Sequence, residues 1–451
     1  MNRSRLVSGP VFGGLVRFSL PMIIINILQM LFHMADTAIL GIMAGDAEVA
    51  AVGACGSLIS LIVCLVSGYS SAANVVISRH VGARDQQRSR AAAGTALALG
   101  FLSGVILMVV VLIFSRRFLL MTNCQPDILG MADLYMKIYF LGMPITMLYN
   151  FCASILRAVG DSVRPMIYMI ISGVSNVGLN IVFVGAFHLT VSGVALATVL
   201  SNAIALVLIL IALAKNEDYC KVERKNLRLR KAELLEMIRI GIPTCAAGLS
   251  FYFGEVVVTS AVNLISTDAM TANAISAQLD RINYTVGSSI AVAVGVMISQ
   301  NFGAGNFGRI RKIMRVGSLY CISVTMGVGL AVVGLSDIFI GLFTDSDIIV
   351  NLTKERLFLL ALTNFVTCAM EVFSNSVRAL KCPKYLLIVG ILCGFLIRSC
   401  WAWFVWPLCK TLPFLFICFP LSTFIGTVIY VFVYKSAIKN EENRVWRYDY
   451  A

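Results

Sequence analysis

KNEDYCKVERKNLRLRKAELLE, residues 215–236, is the only long charged stretch in the chain. It lies near the middle, and the sequence repeats itself on either side of it. Arg17-Phe18-Ser19-Leu20-Pro21 returns as Arg239-Ile240-Gly241-Ile242-Pro243, 222 positions later. Ile77-Ser78 with Gly82-Ala83 returns as Ile298-Ser299 with Gly303-Ala304, at an offset of 221. Arg157-Ala158 returns as Arg378-Ala379, and Thr146 falls on Thr367, again at 221. One register held over much of each half reads as an internal duplication, the weak symmetry typical of transporter folds.

Composition says which solvent the two halves share. Of 451 residues, 59% are hydrophobic and 13% charged. Soluble domains run at about 45–50% apolar and about 25% charged, so the outside of this molecule must face lipid. A span needs about 20 apolar residues. Twelve such stretches lie near 15–41, 50–78, 92–114, 130–156, 165–187, 192–214, 237–265, 270–300, 314–343, 348–377, 385–408 and 412–435. The first contains Pro21, Gln29, His33 and Asp36, so we expect a retained helix rather than a signal peptide. The expected fold is an all-α polytopic membrane protein: a six-helix lobe over 1–214, a linker over 215–236 and a second six-helix lobe over 237–451.

The net charge of +13 fits this topology better than a nucleic-acid partner. With both termini inside, 28 Lys/Arg lie in cytoplasmic segments and 6 at outer ends, among them Arg116, Arg117, Lys137 and Arg356. Both halves then enter the membrane in one orientation. They enclose a cleft, and rocking one against the other gives alternating access. Gly82 and Gly303 are expected to let the chain turn at the junctions after spans 2 and 8.

Polar residues line several spans. Asn26, Gln29, His33 and Asp36 share one face of span 1. Tyr252, Glu255, Thr259 and Asn263 form a similar stripe in span 7, Asn273, Ser276, Asp280 and Asn283 one in span 8, and Asn364, Thr367, Glu371, Ser374 and Arg378 one in span 10. Hydroxyls and amides on such faces serve as interhelical glue. The carboxylates Asp36, Glu255, Asp280 and Glu371 are the functional candidates, because a charge at mid-bilayer costs at least about 2.5–3.5 kcal/mol. Arg281 beside Asp280 offers a structural ion pair, and Asn150 is the repeat partner of Glu371. Asn26, Gln29, His33 and Asn150 are expected to line the cleft.

No catalytic constellation is present: the three histidines are far apart, no nucleotide, hydrolase or zinc-protease motif occurs, and the 13 cysteines form neither pairs nor clusters. An enzyme is not indicated, and no cofactor beyond a coupling Na⁺ or H⁺. One charge falling through 100 mV yields about 2.3 kcal/mol, enough for a roughly fifty-fold gradient of cargo.

The motifs resemble those of bacterial multidrug and toxic compound extrusion (MATE) transporters, nearer the DinF-like branch. They are Leu20-Pro21, Ala35-Asp36-Thr37-Ala38-Ile39-Leu40-Gly41, Ile77-Ser78-Arg79-His80-Val81-Gly82-Ala83, Ile155-Leu156-Arg157-Ala158-Val159-Gly160-Asp161, Gly193-Val194-Ala195-Leu196-Ala197-Thr198 and Ser299-Gln300-Asn301-Phe302-Gly303-Ala304-Gly305. The resemblance implies export of bulky, cationic amphipathic compounds across the plasma membrane in exchange for Na⁺ or H⁺, by a protein functional as a monomer. It places a first-lobe cation site on Asp36, Asn176, Asn180 and Thr198, with Asp36 as the Na⁺ ligand. Asn180 departs from the branch, which carries a second carboxylate there. The NorM-like branch instead implies second-lobe carboxylates, here Glu255 and Glu371. A lipid-linked oligosaccharide flippase of the same superfamily is the alternative, but the intramembrane charges are mostly acidic, which suits cationic cargo. Ion flux coupled stoichiometrically to cargo would separate either reading from a channel.

Overall fold

In lipid every backbone polar group must be satisfied within the protein, so an unbroken apolar chain folds as helices. The structure, a computed structural model, describes residues 6–122, 124–215, 221, 227–341, 343, 344 and 346–449, and the regular elements among them are all helical. In order these are α1 (Val11–Met43), α2 (Asp46–Gly82), α3 (Gln86–Met121), α4 (Pro126–Leu141), α5 (Met143–Ala158), α6 (Val163–Asn180) and α7 (Thr190–Lys215). After the linker come α8 (Lys231–Asn263), α9 (Thr267–Gly303), α10 (Phe307–Gly334), α11 (Ser336–Gly341), α12 (Asp347–Ala379), α13 (Lys384–Val389), α14 (Ile397–Cys400), α15 (Leu412–Phe416) and α16 (Cys418–Asp449). Eleven segments are long and apolar enough to cross a bilayer, and α4 with α5, bent by 47°, makes the twelfth. All twelve expected spans are thus present, the fourth of them broken. The break follows from Pro144, which cannot donate to the carbonyl of Phe140.

The repeat extends to helix defects. A π-helical turn follows α6 at Ile181–Ala186, and another lies at Trp401–Val405, its start within one residue and its end within two of the 221 register. The eleventh span carries a second such turn at Gly390–Leu396. Arg157 donates from Nη2 to Ser154 Oγ at 3.1 Å, and its repeat partner Arg378 donates from Nη1 to Asn375 Oδ1 at 3.1 Å. The register of the duplication is therefore also a register of side-chain contacts.

Packing divides the chain into one compact unit of Ile24–Gly241 and another of Met1–Ile23 with Ile242–Ala451. We call these the first and second lobes. The division falls inside α1 and α8, two residues from Pro21 and Pro243, and not at the 214/215 and 236/237 limits expected from charge. Each proline removes an i→i−4 bond from a helix that runs on through it, and marks off a first arm from a second. In the second lobe the first arm of α1 is tied down by Asn301, whose Nδ2 donates to the Leu6 carbonyl at 3.1 Å, and by an edge-to-face contact of Phe12 with Tyr320. In the first lobe the start of α8 is fixed by an ion pair of Glu236 with buried Arg79 at 2.7 Å.

Within the first lobe α5 packs on α2, α3 and α7, and α6 lies along α7. Within the second, α12 is the central helix, packed on α9, α10 and α16. Ile106 and Ile113 of α3 are exposed on one face. Such apolar exposure suits a surface that faces lipid.

Two expectations need correction. Residues 216–220 and 222–226 of the linker lie outside the described residues, but its last part is not a loop. The hydroxyl of Thr95 on α3 donates to the Arg228 carbonyl at 3.2 Å and accepts from the Arg230 amide at 3.3 Å, and α8 starts at Lys231. The junction glycines are also displaced. Gly82 and Gly303 are the last residues of α2 and α9, while the left-handed residues are Arg84 (φ 58°) and Gly305 (φ 70°). The chain turns two residues later than the glycines suggested, with repeat partners at the turn.

Candidate functional site

Asp36 lies on the second arm of α1, whose side chains reach α6 at Phe32 and at Asp36 itself. That approach depends on Gly173: a Cβ there would fall 1.8 Å from Cε2 of Phe32, one turn before Asp36. One turn beyond Gly173 is Asn176, and one further is Asn180, where the α-helix gives way to the π turn. Such turns concentrate at functional sites. The Asn180 Nδ2 donates to Asp36 Oδ1 at 2.5 Å and to Asn176 Oδ1 at 3.4 Å. Asn180 is fully buried and Asn176 nearly so. Its own carbonyl, Asn180 Oδ1, is buried without a hydrogen-bond partner among the described residues, a condition worth about 1–3 kcal/mol. The Asn180 amide nitrogen therefore bridges the Asp36 carboxylate and the Asn176 carbonyl, while the Asn180 carbonyl oxygen is left unsatisfied. Among the described residues no lysine or arginine pairs with Asp36.

The structure thus joins Asp36, Asn176 and Asn180 by hydrogen bonds, and Thr198 makes none with them among the described residues. The Thr198 hydroxyl donates to the Val194 carbonyl of its own helix at 3.0 Å. Gln29 Nε2 reaches Met169 Sδ at 3.8 Å, and Asn150 Nδ2 donates to the Thr146 carbonyl at 2.9 Å. Asn26 is half-buried and His33 exposed. Tyr135 and Tyr139 of α4 stack at 6.1 Å and lie within electrostatic range of Asp36. Sequence reading missed them because their helix carries no polar stripe.

In the second lobe the stripes of spans 8 and 10 close on each other. Asn364 Nδ2 donates to Asp280 Oδ1 at 3.0 Å, and the Tyr284 hydroxyl to Glu371 Oε1 at 3.3 Å. The cation within electrostatic range of Asp280 in this seam is not Arg281, which is exposed and makes no ion pair among the described residues. It is Arg356, expected at an outer end but 4% exposed. Its Nη1 donates to Ser276 Oγ at 2.7 Å and to the Asn273 carbonyl, and its guanidinium lies 4.7 Å from the Phe416 ring centre. The signal was available: Arg356 precedes Asn364 by eight residues and extends the same helical face. Glu255 forms an ion pair with Arg398 at 3.5 Å. Among the described residues no three His, Cys, Asp or Glu side chains cluster as a resident metal site. Any ion at Asp36 would be held by one carboxylate and amide oxygens, a hard-donor set suited to Na⁺ or a proton.

Comparison with known proteins agrees with this architecture. The MatE family model matches twice, over residues 21–182 and 243–404, with starts and ends 222 positions apart. The probable multidrug resistance protein YoeA of Bacillus subtilis (strain 168) is 28% identical over 314 residues, 68% of each chain. The multidrug export protein MepA of Staphylococcus aureus is 27% identical over 350 residues, 76% of each chain. A crystal structure of MATE in the bent conformation superposes with a TM-score of 0.89 at 20% identity, covering 98% of this chain and 99% of that one, a likeness of fold.

Proposed function

The chain belongs to the MatE family, and from that premise we propose that it is a secondary exporter of bulky cationic amphipathic compounds, driven by inward Na⁺ or H⁺. It is a multi-pass membrane transporter of the multidrug-efflux kind rather than an enzyme, and its relatives favour multidrug export over the flippase alternative. Asp36 is the coupling carboxylate. The observation that carries this reading is the Asp36–Asn180 contact, which sets a carboxylate against a neutral amide while the amide's own carbonyl stays unsatisfied.

In the cation-free state the Asn180 amide N–H compensates the Asp36 charge. An arriving Na⁺ takes the carboxylate, and the amide turns to present its carbonyl. An arriving proton neutralises the carboxylate directly. Either way the lobe loses one negative charge, and alternating access carries that change across the membrane. The inward charge supplies about 2.3 kcal/mol at 100 mV, less the same amount for each positive charge the cargo carries outward, so for a monovalent cation the drive is the concentration gradient of the coupling ion. Both termini and the 215–236 linker lie in the cytoplasm under the 28 to 6 distribution of basic residues.

The test is efflux of a fluorescent organic cation from reconstituted vesicles with Na⁺ and H⁺ gradients imposed separately. Efflux should follow one of the two gradients. Efflux that persists with both gradients collapsed would remove the exchange mechanism.

A further inference from the structure

Each lobe sets a carboxylate on its proline-bearing helix against the span that carries the shared π turn. In the first lobe Asp36 of α1 meets Asn180 at 2.5 Å. In the second, Glu255 of α8 meets Arg398 at 3.5 Å. The repeat registers of 222 and 221 carry Asp36 onto Val258 and Asn180 onto Trp401. Glu255 and Arg398 each lie three residues before those positions. Three residues are close to one helical turn, so the contact has moved along both helices together. It is the same contact with a different partner: a neutral amide in one lobe, a permanent cation in the other.

Arg398 is held by more than Glu255. Its guanidinium lies 5.2 Å from the Phe251 ring centre and 4.7 Å from that of Phe419, and its Nε donates to Ser422 Oγ at 3.4 Å. Its side chain is 9% exposed while that of Glu255 is 45% exposed. Two rings and a hydroxyl therefore keep the cation in place whatever the carboxylate does. Guanidinium also stays charged at any accessible pH. Arg356 adds a second fixed cation within electrostatic range of Glu255 and Asp280. Two carboxylates thus face two immobile guanidiniums, and the cluster is neutral without a guest.

We propose that Arg398 is a tethered counter-ion, holding permanently beside the α8 carboxylate of the second lobe the place that a transported ion takes beside Asp36 in the first. This rests on the reading of Asp36 as the coupling group. It follows that Glu255 takes no part in ion exchange, and that removing Arg398 opens a second ion site.

The experiment measures equilibrium ²²Na⁺ binding and proton uptake on purified protein in nanodiscs. Glu255→Gln should leave the ion capacity of the wild type unchanged. Arg398→Met should add one further ion per protein, a two-fold rise, and Arg398→Met with Glu255→Gln should return to the wild-type value. The neutral double variant also controls for folding, checked by size-exclusion profile. Loss of ion binding in Glu255→Gln, or no gain in folded Arg398→Met, would overturn the proposal. If Arg398→Met does not fold, the Glu255→Gln result decides alone. Asp36→Asn separates the two readings: unchanged ion binding there refutes the first-lobe assignment, while the Arg398→Met comparison still reports on Arg398.

Discussion

Gly173→Ala places one methyl group in the seam on which the Asp36 contact depends. The new Cβ would lie 1.8, 2.1 and 2.2 Å from Cε2, Cζ and Cδ2 of Phe32. Ordinary contact begins near 3.4 Å, so ring and methyl must separate by about 1.6 Å. Either the Phe32 ring swings out or α1 moves off α6. Movement of α1 by that amount carries the 2.5 Å Asp36–Asn180 contact beyond hydrogen-bond reach. Overpacking of this kind costs about 1–3 kcal/mol, and a lost hydrogen bond to a charged group about 1.5–3 kcal/mol. Together these come to about 2.5–6 kcal/mol, which lowers Tm by about 5–24 °C at the scaling of large domains. The assay is thermal unfolding of purified protein beside vesicle efflux. Phe32→Ala empties the space the methyl needs, so the double variant should lose less than the sum of the single losses, by about 1 kcal/mol or more. Wild-type Tm and efflux in Gly173→Ala, or strictly additive losses, would refute the argument that close approach positions Asp36.

Three further outcomes are expected. Arg84 and Lys381 hold left-handed backbone where their repeat partners are glycines, Gly305 and Gly160, so Arg84→Gly and Lys381→Gly should each raise Tm, by about 1 kcal/mol of stability, with efflux unchanged; a fall in Tm would contradict the backbone reading. At the outer ends the repeat has exchanged charges: Asp133 pairs with Lys137 and Ser115, and its partner position is Lys354, which pairs with Asp337. Lys354→Ala should cost under about 1 kcal/mol because that pair is solvent-facing, whereas Asp133→Ala, 16% exposed, should cost more in the same unfolding assay. Finally, Lys225→Cys in a cysteine-free background should label only after the cell is permeabilised; labelling in sealed cells would invert the topology.

The duplication, the twelve spans and their apolar faces were legible because hydropathy and basic residues report directly on lipid and its two surfaces. Helix defects were not. The turns at 181–186 and 401–405 carry no proline, so nothing in their hydropathy separates them from regular helix. Pro21 and Pro243 were visible as repeat landmarks, yet a proline does not say which lobe each arm of its helix joins. Asn176 and Asn180 sit one turn apart on one face, and the fold bears out that geometry because helical spacing is local. Thr198 was harder, since a threonine on a helix can satisfy its hydroxyl on its own backbone, as it does here. Arg356 was misplaced by proximity to a span end, where charge usually means water. Its burial depends on carbonyl and hydroxyl partners from α9 that no single span reveals.

Asp36→Asn tests the central claim most directly. The change is nearly isosteric and removes the charge, and the first-lobe row of Asn176 and Asn180 contains no second carboxylate to replace it. Gradient-driven efflux from vesicles should fall to background while the protein inserts and purifies normally, and Glu371→Gln should do lesser damage. Retained efflux in Asp36→Asn with abolished efflux in Glu371→Gln would place coupling in the second lobe and contradict the account.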